Sequence, residues 1–193
     1  MKVAFIIEHL DPDRGGMERS AVDFLSELVE LGLDVHVVTQ TSAWEHPGIH
    51  VHRLGVSGWS NEAQYRNFAD GAQDFIAGRR WDIVHAIRPC VGCDMYQPRG
   101  GLIKVGQERT VATRRSGLGR LIRQAALAFD AKERLLMSLE HRLLTKASPP
   151  MVVVPSDYVG RQVEERYRLS SDRVRRVFNG VNVAPPAEEE RLR

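Results

Sequence analysis

The sequence predicts an α/β fold built on a doubly wound parallel sheet. Short apolar runs rich in Val and Ile alternate along the chain with longer segments of helical periodicity, the pattern of strand, crossover helix and next strand. The first of these runs has almost no polar face, as a strand covered on both sides requires. The chain has 193 residues, 42% hydrophobic and 27% charged, enough for one ordinary domain whose core needs neither disulfides nor metal.

Residues 2–8 read as the first strand, and Asp11, Pro12, Asp13, Arg14, Gly15 and Gly16 as the loop after it. Residues 17–31 follow as a helix, with Met17, Ala21, Phe24, Leu25, Leu28 and Leu31 at helical spacing and Gly32 as a left-handed stop. Residues 34–40 and 49–54 read as the second and third strands. Residues 61–79 read as a weaker helix, and 82–87 as a fourth strand ended by Pro89. Residues 100–105 read as a short strand, and 118–144 as the longest helix. Residues 151–154 form a buried strand bounded by prolines, and Ser156 is a candidate N-cap for a helix through Tyr167. Residues 174–178 give a last strand before the Asn179-Gly180 turn. The domain is expected to span residues 1–182. Residues 183–193, with Pro185, Pro186 and three successive glutamates, read as a linker toward a further domain.

Composition removes several classes. No stretch approaches the roughly 20 apolar residues of a membrane helix. The opening apolar run of five is too short for a signal-peptide core, which points to a cytoplasmic chain. Two cysteines do not make a disulfide scaffold. Cys90 and Cys93 form a C-x-x-C pair, but zinc needs a second pair and redox chemistry a helix N-terminus, so they read as reduced thiols. His50 and His52 share one strand face near His46 and read as surface residues, with no metal site expected. The net charge of +2 hides an asymmetry. Residues 99–148 carry 11 basic against 4 acidic side chains, leaving 16 against 21 elsewhere, so one region faces an anionic partner.

Ligands of open parallel sheets bind at the carboxyl ends of the strands. Gly15 and Gly16 sit there, where backbone N–H groups can approach a ligand at a helix N-terminus. The pair lacks the G-x-G-x-x-G spacing of a dinucleotide fold and reads by itself equally as a flexible turn.

Four short motifs, in order, resemble family 4 retaining glycosyltransferases. Gly15-Gly16-Met17-Glu18-Arg19 resembles that family's glycine loop. Asp82-Ile83-Val84-His85 resembles its D-V-V-H strand end. Asp94-Met95-Tyr96 is similar to an Asp-x-Tyr stretch of its lipopolysaccharide-core glucosyltransferases. Val177-Phe178-Asn179-Gly180-Val181-Asn182 resembles the element where the N-terminal domain hands over to the C-terminal one. The resemblance implies one half of a GT-B fold: a Rossmann-like parallel sheet with helices on both faces, on the acceptor side of a cleft. It implies transfer of a sugar from a nucleotide-sugar, as substrate and with no cofactor, to a glycan or lipid-linked cell-envelope acceptor. The family's donor half carries a pair of glutamates spaced E-x7-E. No two glutamates here stand eight apart, so the isolated chain is expected to be inactive without a donor-binding half. The alternative is a non-catalytic subunit that binds the acceptor or docks on a membrane beside a separate donor domain.

The resemblance points to His85 and Asp94 as candidate catalytic residues and to Gly15, Gly16, Arg19, Tyr96, Asn179 and Gly180 as candidate substrate-binding residues. On residue chemistry alone, His85 reads equally as a hydrogen-bonded core histidine, and Asp94 and Tyr96 as a turn carboxylate and a packing ring. The family's frequent second histidine is replaced by Ile87, followed by Arg88. Leu118, Ile122, Ala125, Phe129, Leu136, Leu139 and Leu143 form one stripe, broken by Lys132 and flanked by Arg114, Arg115, Arg120 and Arg123. These arginines are expected to face an anionic membrane surface on the inner side, or else to form the solvated face of a packed helix. One aromatic, Phe129, is too few for a nucleic-acid stacking platform, so no nucleic-acid partner is expected.

Overall fold

A computed structural model describes residues 1–55, 57–114, 116–178 and 180. The chain runs through β1 (Lys2–Ile6), β2 (His9–Leu10), α1 (Gly16–Glu30), β3 (Asp34–Thr39), β4 (Thr41–Ser42), β5 (Ile49–Arg53) and α2 (Asn61–Ala77). It continues through β6 (Ile83–Ala86), β7 (Met95–Tyr96), α3 (Ile103–Ala112), α4 (Gly117–Phe129), α5 (Ala131–Thr145), β8 (Met151–Val154), α6 (Asp157–Tyr167) and β9 (Val174–Arg176). Seven strands form one parallel sheet in the order β5-β3-β1-β6-β7-β8-β9. β2 and β4 pair as a small separate ladder beyond its end.

The alternation of β1 divides the core. Ala4 and Ile6 pack with Tyr65, Phe68 and Ala72 of α2, Leu136 and Leu143 of α5, and Val159 and Val163 of α6. Phe5 and Ile7 point the other way, onto Ala21 and Leu25 of α1. Helices therefore cover both faces, and the expected doubly wound architecture is observed. α1 ends as its glycine predicts. Gly32 adopts φ +74°, and the N–H groups of Gly32 and Leu33 return to the carbonyls of Val29 and Leu28 (2.8 and 3.1 Å). The Ser156 hydroxyl accepts from the Val159 N–H, capping α6 as expected.

Two predicted elements are corrected. The segment 100–105 is not a strand: Gly101 turns the chain at φ +84°, and α3 starts at Ile103. The two-residue strand in this part of the sheet is β7, inside the Asp-x-Tyr stretch. The long helix over 118–144 is two helices, because Asp130 leaves the helical conformation (ψ 97°) and its carboxylate caps α5 at the Glu133 N–H. Asp130 and Glu133 have the spacing of a capping box, the signal that marks the break. The apolar stripe divides there. Leu136 and Leu143 are buried, whereas Leu118, Leu121, Ile122 and Phe129 of α4 are 62–83% exposed. Lys132, the break in the stripe, reaches back to buried Glu8 after β1 (Nζ to Oε1, 2.5 Å). Among the described residues no helix is long and apolar enough to cross a membrane.

Candidate functional site: an arginine-lined cleft

β1 has β3 on one side and β6 on the other, so chain progression reverses between β1 and β6. A cleft of about 680 Å³ opens beside the carboxyl ends of β6 and β7 at this switch point. Gly16, Met17 and Ser20 of α1 form one wall. Ile87 and Arg88 after β6, and Tyr96 and residues 98–101 around the end of β7, form its floor. α3 and α4 close it on the far side. α1 begins without a side-chain cap, so its first N–H groups bring the positive end of a fifteen-residue helix to the cleft. A Cβ on Gly16 would meet nothing within 4 Å, so the backbone is open to a ligand.

Three arginines line the cleft: Arg88, Arg99 and Arg123. Each has a buried Nε with no hydrogen-bond partner, and none is ion-paired among the described residues. Arg99 donates from Nη1 to the Ser20 hydroxyl, and its guanidinium lies over the Phe24 ring at 5.6 Å. Burial lowers its pKa to about 10, against the pull of Asp23. The cleft's two carboxylates have partners of their own rather than the arginines: Asp130 caps α5, and Glu133 accepts from Gln107 Nε2 at 3.0 Å. Unpaired guanidiniums beside a helix N-terminus make a receptor for phosphate or carboxylate.

The predicted residues divide sharply. Gly16 and Tyr96 border the cleft; Gly15 and Arg19 do not. A Cβ on Gly15 would meet the Glu18 carboxylate at 3.2 Å, and Arg19 is exposed to solvent. Tyr96 is 1% exposed, and its hydroxyl donates to Glu140 Oε1 at 2.7 Å, so its polar end faces away from any substrate. His85 is 4% exposed, edge-on to Phe5 and Phe24 with ring centroids 5.0 and 5.4 Å away. Its pKa falls to about 4, chiefly through burial and then the nearby Arg99 charge. It does not reach the cleft but lies beneath Phe24, the ring that carries Arg99. Asp94 precedes β7, level with the middle of β6. Its carboxylate accepts the Val84 N–H (2.8 Å), and its carbonyl accepts the Met151 N–H. Neither residue expected to be catalytic lines the cleft: His85 is a packed ring whose buried Nε2 has no hydrogen-bond partner, and Asp94 stitches three strands together. Gly180 is exposed, while Asn179, Arg115 and the segment 183–193 lie outside the described residues.

Arg123, expected to face a membrane, turns into the cleft, whereas Arg114 and Arg120 are exposed. Arg99 was missed by the sequence reading. Its only signal is a basic residue followed by Gly100-Gly101. The two cysteines are buried and unbridged, and burial pushes the Cys90 thiol up to about 12, so both are inert at neutral pH.

A family model described as Glycosyltransferase Family 4 matches residues 14–184. The chain belongs to glycosyltransferase family 4. No curated protein matches it in sequence. Among solved structures it is similar to WaaG, a glycosyltransferase involved in lipopolysaccharide biosynthesis, at a TM-score of 0.75 and 18% identity. The alignment covers 97% of this chain and 50% of the WaaG chain, so this family 4 chain spans about half the length of that relative. The expected Rossmann-like half of a GT-B fold is thereby observed. The family 4 glycine loop does reach the cleft, through Gly16 and Met17.

Proposed function

We propose that this chain is the acceptor-side domain of a retaining family 4 glycosyltransferase. Residues 1–182 form that domain, and 183–193 lead toward a donor-binding half without which the chain is inactive. The whole enzyme transfers a sugar from a nucleotide-sugar to an anion-bearing glycan or lipid-linked acceptor of the cell envelope. The observation that carries this reading is the cleft at the switch point, with three unpaired arginines and an open helix N-terminus. Arg88, Arg99 and Arg123 hold the anionic group of the acceptor, and Gly16 lets it approach the α1 N–H groups. His85 is a positioning residue, acting through Phe24 on Arg99. Asn179 and Gly180 mark the hand-over between domains.

Ligand-detected NMR on the chain tests the acceptor side. Hexose phosphates should bind where neutral hexoses do not, and Arg99→Ala should abolish the signal. Equal binding of neutral sugars would overturn the anionic acceptor. Radiolabelled nucleotide-sugars with an envelope extract test the inactivity. Transfer or donor hydrolysis by the chain alone would overturn it.

A second reading, a non-catalytic acceptor-binding or membrane-docking subunit, is favoured by α4. Leu118, Leu121, Ile122, Ala125 and Phe129 form an exposed apolar row beside Arg120, the layout of a helix lying in an anionic interface on the inner face of the membrane. Flotation with anionic but not neutral vesicles supports this docking, and no flotation with either removes it.

A further inference from the structure

At the other end of the sheet, two dipeptide-spaced pairs meet. Asp34 and His36 stand two apart on β3, and His50 and His52 two apart on β5. Residues two apart on a strand share a face. The parallel ladder sets His36 against His50 and Val38 against His52, which puts all four side chains on one face at the sheet edge. Asp34 Oδ1 lies 3.1 Å from His36 Nε2 and 3.7 Å from His50 Nε2, and the three ligand atoms lie within 4.8 Å of one another. Zinc–ligand bonds of about 2.0–2.1 Å in tetrahedral geometry hold donor atoms roughly 3.4 Å apart. The two distances from Asp34 Oδ1 bracket that value, and the two imidazole nitrogens lie within 4.8 Å of each other.

The surroundings favour a cation. Asp34 has no Lys or Arg partner among the described residues. The cations nearby are engaged with aromatic rings rather than with Asp34: Lys2 sits over Trp81 at 4.8 Å, and Arg79 over Phe75 at 3.8 Å. His36 stacks on His50, with centroids 4.6 Å apart, and lies edge to edge with His52, nearly coplanar with it at 5.1 Å between centroids. Its Nδ1 lies 2.8 Å from His52 Nε2. Coordination through His36 Nε2 leaves Nδ1 as the N–H, which then donates to His52. That is the outer-shell bond by which a protein orients a ligating imidazole.

We infer that Asp34, His36 and His50 form a binding site for a zinc-class divalent transition metal, with His52 as the outer partner of His36. Two imidazoles and one carboxylate suit Zn²⁺, Co²⁺ or Ni²⁺ rather than Mg²⁺. The site lies at the amino-terminal ends of β3 and β5, away from the cleft, so the metal's role is structural: it ties edge strand β5 to β3. This inference is independent of the transferase reading.

The test uses the untagged chain, stripped with chelator and titrated with Co²⁺ and Zn²⁺. Co²⁺ should give visible d–d absorption saturating at one equivalent and displaced by Zn²⁺. Zn²⁺ should raise Tm with increasing concentration, as binding to the folded state requires, and Mg²⁺ should not. His50→Gln changes an exposed side chain and should keep the fold while weakening binding at least tenfold. His52→Phe should weaken it about 10- to 100-fold, with partial recovery in His52→Gln. The inference is overturned by absent Co²⁺ absorption and Zn²⁺ stabilisation, by unchanged affinity in His50→Gln, or by thiolate charge-transfer bands that place the metal on Cys90 and Cys93.

Discussion

Tyr96 and Arg99 stand three residues apart at the end of the same strand, yet they belong to opposite kinds of polar region. Tyr96 opens a closed network. Its hydroxyl donates to Glu140, and the Ile103 N–H donates to the other oxygen of the same carboxylate at 3.1 Å. Glu140 is wholly buried and ties β7, the start of α3 and α5 together. Arg99 faces the cleft with Arg88 and Arg123, and each keeps an Nε without an acceptor. A buried polar group with all its partners in the chain holds a fold together. One without them costs stability until a ligand supplies the partner. The first region should therefore respond to mutation through stability, and the second through binding.

Glu140→Ala is the largest break. It leaves the Tyr96 hydroxyl and the Ile103 N–H unsatisfied and opens a void, together costing about 3–5 kcal/mol. Chemical denaturation should show that loss, and a midpoint within error of wild type would mean the network is incidental. Glu140→Gln sharpens the comparison through pH. Burial raises the Glu140 pKa to about 7 from an ordinary 4.5, although its hydrogen bonds oppose the shift. The folded state therefore binds the proton more tightly. Its contribution is complete below pH 4.5 and is lost as pH rises through 7, about 3 kcal/mol in all. Wild-type stability should fall across that window, and Glu140→Gln should flatten the slope.

The cleft should behave in the opposite way. Arg99→Leu and Arg88→Leu remove unpaired charges and should leave stability unchanged or slightly raised. Each should weaken hexose phosphate binding about 10- to 100-fold, the range of one charge-assisted hydrogen bond lost. A loss of stability comparable to Glu140→Ala would place these arginines in the fold rather than in the site.

The contrast also explains what the sequence made legible. The doubly wound sheet was readable because β1, β3, β6 and β8 are apolar runs whose burial is local to their own pattern. β7 was not, because two residues carry no periodicity and its pairing with β6 and β8 is tertiary. Gly16 was legible from its place after a strand. The arginine trio was not, because residues 88, 99 and 123 converge only once α3 and α4 fold over the cleft. Asp94 and Tyr96 were visible as a motif, but hydrogen bonds to Val84 and Glu140, distant in sequence, make them structural.

The two halves of the apolar stripe extend the comparison at smaller scale. Leu136→Ala in α5 should cost about 2–5 kcal/mol, since the side chain is fully buried. Leu121→Ser with Ile122→Ser in α4 should change stability by no more than about 0.5 kcal/mol per site, since both side chains are exposed. The double variant should nonetheless lose flotation with anionic vesicles. Retained flotation would detach α4 from membrane docking.

Gly16→Ala is the finest probe. The added Cβ meets nothing within 4 Å, and Gly16 is not in the positive-φ region that penalises a side chain. Alanine also restricts the unfolded chain, so stability should stay level or rise by up to about 1 kcal/mol. The methyl nevertheless stands in the cleft, at the entrance to the free N–H groups of α1. If these N–H groups and the arginines hold one anion between them, hexose phosphate affinity should fall several-fold, less than for Arg99→Leu, while Tm holds. Unchanged affinity would leave the arginines as the whole of the anion site and the glycine as a turn residue only.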